Sequence, residues 1–482
     1  MPASFSGRAP RTRQVAMSKA NSRGAGKPAS RLQVPGTGSA PDFIEHAPRW
    51  IRPAWLRGPV LAVVAVVVVA AVTITAVLTR TPAPSVRDQH WRRDIAVLAR
   101  QIPRVHAEGL THVTPAAWHA AAARLAAQVP RLSNGQVLAG LARLVALLHD
   151  DETQLMLPDA PVYLFSAQWV GPGLYLVAVP SAERALLGAR LVAVDGHPMA
   201  EVESRLRGVI DFQDPGTARA WETGPDQAGL ESPGYLNNAS LLAWLGLARS
   251  ARGATFTVRL ASGGLRRVWL AAHGRDDGAV PPAAAIPAPL YLRRPDEPFW
   301  LRVLRRQHAV YLKYNLCLGS DGFQQLAARA VAVLHAHPRY RLIVDLRGNP
   351  GGDTTPFQAL LNKISRDPAL NRRGRVFGLI NDLTASSASL DAGLLQHSTR
   401  GLLIGQQVSD PIDEYGNDNG LLRLPYYDVL VQYTTATVNS PATPEGVPDL
   451  PVAPTVHDLL TGADPVLAAA LAYGHHHGRP AR

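Results

Sequence analysis

The sequence predicts an α/β protein, and three observations lead to that class. Between residues 341 and 405, two units in succession run from an apolar strand through a tight turn into a helix. Between residues 94 and 149, apolar residues recur at spacings of three and four, as in amphipathic helices. Apolar runs and alternation typical of strands fill residues 162–270. We therefore expect an α/β core that carries a helical cap and a β-rich subdomain.

The positive charge of the chain is concentrated at its N-terminus. The 482 residues carry a net charge of +12, and residues 1–58 supply +8 of it, from ten Lys or Arg against two Asp or Glu. This segment is rich in Ser, Gly, Ala, Pro and Arg and has no apolar period, which predicts disorder. The basic character belongs to a tail, so we expect no nucleic-acid partner for the folded part.

A single membrane helix is predicted directly after the basic tail. Residues 60–78 contain no charged side chain and consist mostly of Val and Ala, enough to cross a bilayer. The segment begins too far along the chain for a signal peptide, and it lacks the polar face of a core helix. Ten basic residues precede it and only Arg80 and Arg87 follow closely, which predicts a cytoplasmic N-terminus. The rest of the chain is then expected outside the cytoplasmic membrane, in the periplasm if the organism is Gram-negative.

Three short helices are predicted to form the cap. They cover residues 94–101, 115–128 and 134–149, and Thr114 and Ser133 stand where N-caps are expected for the second and third. The last helix leads into the polar sequence LLHDDETQL.

The middle of the chain is predicted to be a β-rich subdomain. Strands are expected at 174–179 and 189–199, followed by a helix at 201–210. The sequence GARLVAVDGHPMAEVESRL resembles the strand, turn and helix of a PDZ-like module, which binds extended peptide ends as an added strand. The alternative is a β-subdomain of no particular kind.

The core contains the groups that acyl transfer requires. Residues 342–344 predict a buried strand, and residues 349–352 (NPGG) predict a turn that exposes backbone N–H groups. The second unit, VFGLINDLTASSASLDAG from residue 376, predicts a strand, a polar turn and a helix that starts at a serine. A hydroxyl at a helix N-terminus, facing backbone N–H donors, is an arrangement that suits nucleophilic catalysis.

The segments VDLRGNPGG, TASSASLDAG and RGLLIG together resemble the core of the tail-specific (C-terminal processing) serine proteases. The resemblance implies a ClpP/crotonase-like β-β-α core, a polypeptide substrate and no cofactor. Thr384, Ala392 and Gly393 set the register, which implies that Ser386 is the nucleophile. Gly405 then falls at the glycine that ends the next strand.

The resemblance also implies how the oxyanion would be bound. The N–H of Ser387 and one N–H from Gly351 or Gly352 would donate to it. Two structural alternatives stand beside these roles. Ser387 could itself be the nucleophile or merely cap the helix, and the glycines could serve only a turn that needs positive φ.

Neither of the usual base positions carries the family's residue. One branch of the family has a lysine at the position of Pro411. The other, tricorn-like branch has a histidine at the position of Glu152, and a glutamate of ordinary pKa near 4.3 is a poor match for a serine hydroxyl. The chain is most similar to the branch without the lysine.

Two further residues remain open as the base. His149 precedes Glu152 by one helical turn and could reach the site under a different loop register, although the end of an exposed helix also explains it. Lys313 lies on a predicted core strand. Along continuous helices, His397 is roughly 16 Å from Ser386, which excludes it, and Lys363 is similarly far from the double glycine.

No metal or cofactor site is predicted. The chain lacks CxxC, HExxH and phosphate-loop motifs, and its single cysteine, Cys317, permits no intrachain disulfide. His475, His476 and His477 stand in a terminal tail, where a lone triplet is a weak metal signal. Glu445 lies near the family's acidic position but reads as a loop residue. Asp345 and Arg347 are expected to pair and to brace the glycine turn.

Two functions are compatible with these residues: a serine peptidase acting through Ser386, and an inactive relative that binds polypeptide as a scaffold or adaptor. A structural envelope protein is a third possibility. The predicted segments are a disordered basic cytoplasmic tail (1–58), a transmembrane helix (59–79), a helical cap (88–158), a PDZ-like subdomain (160–275), a linker (276–298), a protease core (299–472) and a terminal tail (473–482).

Overall fold

The computed structural model describes residues 84–150, 152–210, 234–274, 283–319, 321–408, 419–437 and 446–474, together with the single residues 219 and 223. The predicted basic tail and the predicted transmembrane helix at 59–79 lie outside these ranges. Within them, no helix has both the length and the apolar character that a bilayer crossing needs.

Three helices form the cap: α1 (Pro84–Val105), α2 (Pro115–Gln128) and α3 (Asn134–Val145). Thr114 and Ser133 cap α2 and α3 as predicted, because each side chain accepts a hydrogen bond from a backbone N–H in the first turn. The first helix begins at Pro84, earlier than the predicted residue 94. The prediction missed its first turns because they carry few apolar residues and give no periodic signal.

The β-rich subdomain is built almost entirely of short strands. Its elements, with the strand that joins it to the cap, are β1 (Gln154–Leu155), β2 (Val162–Tyr163), β3 (Ser166–Val170), β4 (Gly173–Pro180), β5 (Arg190–Val194), β6 (His197–Pro198), α4 (Met199–Arg207), α5 (Ala239–Trp244), β7 (Gly253–Arg259), β8 (Leu265–His273) and β9 (Ala283–Ala285). The strands β2 to β9 form one sheet with the order β2-β8-β7-β5-β4-β3, in which β6 pairs with β5 and β9 pairs with β4. The predicted strand, turn and helix are present as β5, β6 and α4, and their PDZ-like character remains a prediction.

The predicted linker at 276–298 takes part in the fold where it is described. Ala283–Ala285 adds β9 to the edge of the sheet beside β4. Tyr291, in a single turn of 3-10 helix, is buried, and its ring lies 3.9 Å from the guanidinium carbon of Arg347. The Pro and Ala content that suggested a linker is equally compatible with an edge strand and a packed turn.

The core follows as alternating strands and helices. Its elements are β10 (Phe299–Leu304), β11 (Ala309–Tyr314), α6 (Asp321–Ala336), β12 (Arg341–Asp345), α7 (Thr355–Ser365), β13 (Val376–Ile380), α8 (Ser387–Ser398), β14 (Leu402–Gly405), β15 (Asn419–Arg423), β16 (Leu430–Thr434), β17 (Leu450–Pro451), α9 (Val456–Thr461) and α10 (Pro465–Ala472). Six strands form one sheet in the order β10-β11-β12-β13-β14-β17. β10 is antiparallel to β11, and the other neighbours in this sheet are parallel.

Both faces of the six-stranded sheet are covered. Along β12, Leu342 and Val344 pack into a cluster with apolar residues of α6, α7 and α8, whereas Ile343 packs on the other side with Val466 and Leu467 of α10. Successive side chains of a strand point to opposite faces, so a strand buried on both must be apolar throughout. This explains the continuous apolar runs that predicted the core strands.

One hairpin of the predicted core packs against the cap instead. β15 and β16 form a three-stranded sheet with β1, separate from the six-stranded sheet. Trp91 of α1 stacks on Tyr427 in the turn of this hairpin, with ring centroids 3.8 Å apart. The carboxylate of Asp94 accepts hydrogen bonds from the backbone N–H groups of Tyr426 and Tyr427, each at 3.0 Å. The cap is therefore completed by residues far along the chain.

Replacing Trp91 by alanine should destabilise the cap strongly. Its side chain is 0% exposed, so Trp91→Ala removes the stack on Tyr427 and leaves a large cavity, at a cost of about 3–5 kcal/mol. The free energy of unfolding from urea titration measures this. Trp269→Ala is the matched control, because Trp269 is 61% exposed, and it should cost about 1 kcal/mol or less. Equal costs for the two variants would contradict this packing.

Candidate active site

Strand β12 ends in a buried ion pair that supports the glycine turn. Arg347 donates from Nε to Asp345 Oδ1 at 3.0 Å and from Nη2 to Asp345 Oδ2 at 2.5 Å. It also donates two bonds of 2.8 Å to the carboxylate of Asp464, which caps α10. Burial alone would raise the pKa of Asp345, but the charge and hydrogen bonds of Arg347 lower it below its usual range. The predicted pairing of Asp345 and Arg347 is confirmed, and Asp464 extends it.

Lys313, one of the open base candidates, lies underneath the same turn. Its side chain is fully buried, and its Nζ donates to the backbone carbonyl oxygens of Arg347 at 2.7 Å and Asp345 at 3.4 Å. An ammonium bound to carbonyl dipoles neutralises the partial charges of a tight bend in the backbone. These contacts assign Lys313 to the support of the turn.

Two turns, at the ends of β12 and β13, are hydrogen-bonded to each other. Gly348 N donates to Asn381 Oδ1 at 2.9 Å, and Ala385 N donates to the backbone oxygen of Asn349 at 3.0 Å. The hydroxyl of Thr384 also donates to the backbone oxygen of Leu346 at 3.1 Å. Because adjacent parallel strands end at the same edge of the sheet, the two turns meet there and these bonds fix their relative position.

Ser386 stands at the point where the second turn becomes α8. Its backbone has φ 51° and ψ −130°, a conformation that is strained for a residue with a side chain. The side chain makes no capping hydrogen bond to the helix and is partly exposed. A sharp strand-to-helix turn of this kind presents a hydroxyl at the surface instead of folding it into the helix.

Gly351 approaches Ser386 so closely that only a glycine fits there. A methyl group at Gly351 would lie 2.7 Å from Ser386 Cβ, 3.0 Å from Ser386 Oγ and 2.9 Å from Ser387 N. Its φ of +105° disfavours other residues independently of space. The structure thus brings the double-glycine bend and the Ser-Ser pair together, as the family resemblance implied.

Ser387, the rival nucleophile, holds the two turns together. Its side chain is 6% exposed, and its Oγ donates to the backbone oxygen of Gly352 at 2.6 Å. A hydroxyl that is buried and donates to a carbonyl is poorly placed to attack a substrate. This contact favours Ser386 over Ser387 as the reactive residue.

The two glycines differ in their backbone environment. The N–H of Gly351 donates to Asn349 Oδ1 at 2.9 Å, so it is already engaged. Gly352 is exposed, and a methyl group there would meet the backbone oxygen of Cys317 at 2.1 Å. Because Gly352 is exposed whereas Gly351 is buried, the N–H of Gly352 is the better candidate of the two to face a substrate.

The candidate bases from the sequence occupy different places. His149 is exposed in a left-handed conformation after α3, with its ring edge-on to that of His112. Glu152 follows in the same cap loop, where its backbone contacts Asp150 and Gln432. Pro411, Glu445 and the histidines 475–477 lie outside the described residues.

The two residues excluded by distance lie at the far ends of their helices. His397 is in the last turn of α8 and Lys363 in the last turn of α7, and both are exposed. Both helices are continuous, as that exclusion assumed.

Sequence reasoning missed a buried histidine beside the cap loop. His106 follows α1, and its Nδ1 accepts from the N–H of Glu108 at 3.3 Å, so that Nε2 donates to Asp150 Oδ2 at 2.8 Å. Thr153 also donates to Asp150 Oδ2, at 2.5 Å. Asp150 and Thr153, on either side of Glu152, were visible in the sequence. Nothing in their spacing indicated a partner histidine 44 residues before Asp150.

A second cluster that the sequence did not indicate lies under the glycine turn. Cys317 and Asp391 are both buried, and the thiol contacts Asp391 Oδ2 at 3.5 Å. Burial raises the pKa of each. Across the described part of the chain, no group of three His, Cys, Asp or Glu side chains is arranged to hold a metal ion.

Comparison with known proteins shows a shared fold. No protein-family profile matches the chain, and no curated protein matches it by sequence. Mature CPAF gives a TM-score of 0.53 at 12% identity, with 82% of this chain and 99% of CPAF covered. CPAF complexed with lactacystin gives a TM-score of 0.53 at 12% identity, with 80% of this chain and 99% of that CPAF chain covered. The photosystem II D1 C-terminal processing protease matches less well, with a TM-score of 0.37 at 14% identity, and the match covers 78% of this chain and 99% of that protease.

The fold is therefore a mixed α/β fold with several sheets, and it is shared with CPAF over most of both chains. At 12% identity, such a likeness concerns the path of the backbone and does not extend to the chemistry of the site.

Removing Arg347 should destabilise the whole glycine turn. Arg347→Ala leaves two carboxylates without their buried partner, which we expect to lower the free energy of unfolding by about 3–5 kcal/mol. Arg423→Ala is a matched control, because its pair with Asp428 is exposed on the arginine side, and it should cost about 1 kcal/mol or less. Urea titration of both variants measures the difference, and a small effect at Arg347 would show that the network is dispensable.

Proposed function

We propose that this chain is a membrane-anchored serine endopeptidase of the tail-specific protease family, acting outside the cytoplasmic membrane on polypeptide substrates. The observation that carries the proposal is the backbone of Ser386, strained at φ 51° and ψ −130° and packed against Gly351. Strain that neighbouring structure enforces is typical of functional residues. The shared fold with CPAF and the sequence motifs of the core support the same proposal.

The reaction proposed is acyl transfer in two steps. Ser386 Oγ attacks the carbonyl carbon of a peptide bond while a base accepts its proton, and the tetrahedral intermediate then expels the amine, which takes that proton. Water hydrolyses the resulting acyl-enzyme and returns the hydroxyl of Ser386. Two products leave, a new carboxyl end and a new amino end.

The oxyanion of the tetrahedral intermediate would be bound between the two turns. We assign its donors to the N–H of Ser387, at the start of α8, and the N–H of Gly352. The positive end of the helix dipole adds to the attraction at Ser387. The hydrogen bond from Ser387 Oγ to Gly352 O holds the two donors in register, because it joins the residues that carry them.

The base is proposed to come from the loop that leaves the cap. Glu152 stands at the family's histidine position, and His149 lies one turn before it. Asp150 holds this loop through His106, Thr153 and the N–H of Glu152. A loop fixed in this way can deliver one side chain to a neighbouring domain reproducibly.

The second candidate function is polypeptide binding without cleavage. One specific observation favours it: both family base positions are substituted, by Pro411 and Glu152. The same fold could then present a substrate-like groove as a scaffold or adaptor. Labelling and cleavage experiments separate the two functions.

The nucleophile can be identified with a fluorophosphonate probe on the purified chain. We expect covalent labelling of the wild type and loss of labelling to background in Ser386→Ala, because the probe reacts only with an activated hydroxyl. Ser398→Ala, at the exposed end of the same helix, should label normally. Labelling lost in Ser387→Ala but kept in Ser386→Ala would reverse the assignment, and no labelling of the wild type would favour the binding protein.

The base can be identified from cleavage of an unfolded casein. Loss of a general base typically lowers the rate by about 10²- to 10⁴-fold, and we expect this for Glu152→Gln or for His149→Ala. His397→Ala serves as the control, since that histidine is exposed at the far end of α8. Unchanged rates in both test variants would remove the cap loop as the source of the base.

A further inference from the structure

Asp391 is a buried carboxyl group for which the proposed reaction has no role. It lies on α8, five residues after Ser386, and its side chain is 0% exposed. Its Oδ2 accepts a hydrogen bond from the thiol of Cys317 at 3.5 Å, and its Oδ1 has no hydrogen-bond partner among the described residues. A carboxylate with one oxygen unsatisfied in a dry interior is unstable, whereas the neutral acid is tolerated there.

On balance, the described surroundings of Asp391 disfavour its charged form. The titratable groups that act on it are Cys317, Asp353 and Tyr314, from the segment before α6, the turn before α7 and the end of β11. None of these is a cation, and Asp353 adds a like charge. Burial raises the pKa of Asp391 well above its ordinary value, although the thiol hydrogen bond opposes this. Burial therefore favours the protonated form of Asp391.

Cys317 connects Asp391 to the glycine turn in two ways. Its backbone N–H donates to Gly351 O at 2.9 Å, and its carbonyl accepts from Asp353 N at 2.6 Å, so that it flanks Gly352 as a strand would. Its thiol lies 3.4 Å from Nδ2 of Asn349, the side chain that also accepts the N–H of Gly351. Movement of Cys317 would therefore move both glycines relative to Ser386.

We propose that Asp391, as a neutral carboxylic acid, is a positioning residue that sets the Gly351–Gly352 turn against Ser386 by holding Cys317 in place. Its effect on Ser386 rests on the proposed function, but its effect on Cys317 does not. In the closed form of this cluster, Asp391 and Cys317 are buried, and in an opened form both meet water. Because burial raises the pKa of Asp391, the closed form binds the proton of Asp391 more tightly than the opened form does. Opening of this cluster should become easier as pH rises from the ordinary carboxyl pKa toward the buried one.

The first test uses Cys317 as a reporter, since it is the only cysteine in the chain. The rate of alkylation by iodoacetamide is measured from about pH 5 to about pH 8, where thiolate formation alone gives about a tenfold rise per pH unit. Ionisation of Asp391 should add up to about another tenfold per unit, so that the logarithm of the rate rises with a slope near two. A slope of one throughout would overturn the proposal, and this measurement needs only the wild type.

The second test replaces the acid by a neutral residue of the same shape. In Asp391→Asn the extra pH dependence should disappear, so the ratio of wild-type to variant alkylation rates should rise with pH. Asp353→Asn is the matched control: this exposed residue neighbours the same cluster. Loss of its like charge shifts the curve along the pH axis, but the variant should keep the steeper, wild-type slope because Asp391 is still present. A ratio that stays flat for Asp391→Asn, or a change of equal size in Asp353→Asn, would contradict the assignment.

The third test asks whether the hydrogen bond of Asp391 positions Cys317 or whether the buried side chain of Asp391 only fills space. Asp391→Leu fills the same space but cannot hydrogen-bond to Cys317, so its fluorophosphonate labelling should slow by about tenfold. Asp391→Asn keeps the hydrogen bond and should be labelled at the rate that the wild type shows at neutral pH. Equal labelling of the Leu and Asn variants, with equal Cys317 alkylation, would show that the hydrogen bond positions nothing. If no variant and no wild type labels at all, the proposed peptidase function fails, and the Cys317 rates still decide the role of Asp391.

Discussion

The close contact between the Gly351 turn and the start of α8 is the constraint on which the candidate site depends. A side chain at Gly351 would overlap Ser386, and hydrogen bonds from Gly348, Thr384, Ala385 and Ser387 join the two turns. The contact is possible because β12 and β13 are neighbours in a parallel sheet and end at the same edge. Strain at Ser386 is maintained because every neighbouring segment is fixed by its own bonds.

Buried polar groups support this contact from below. Arg347 bridges two carboxylates, Lys313 neutralises two carbonyl oxygens, and Asn349 joins the turn to β11 and to Cys317. Such networks are costly to bury and rigid when they are satisfied. Burying these groups costs the core some stability, and in return the N–H groups of the turn have a fixed direction. Binding of a developing oxyanion requires such fixed donors.

Much of the fold was accessible from local pattern. The caps at Thr114 and Ser133 and the core strands followed from apolar periodicity and capping residues, whereas the juxtaposition of the two turns was implied by the family resemblance. Expectations differed from the structure where distant residues completed an element. Trp91, in the part of the first cap helix that precedes the predicted start, packs on Tyr427. The hairpin at β15 and β16 joins the cap because Asp94 binds its turn. Neither contact has a signal in local sequence.

By itself, the sequence determined the main core elements and the glycine-rich turn after β12, because these depend on neighbours a few residues away. Its resemblance to a known family supplied Ser386 as the hypothesis for the reactive serine. The tertiary structure decided that Ser387 is tied to Gly352, that the N–H of Gly351 bonds to Asn349, and that Lys313 supports the backbone. It also revealed the Cys317–Asp391 cluster, whose members are 74 residues apart. Hydrogen bonds and burial between distant segments form only when the chain is folded, so no local pattern can encode them individually.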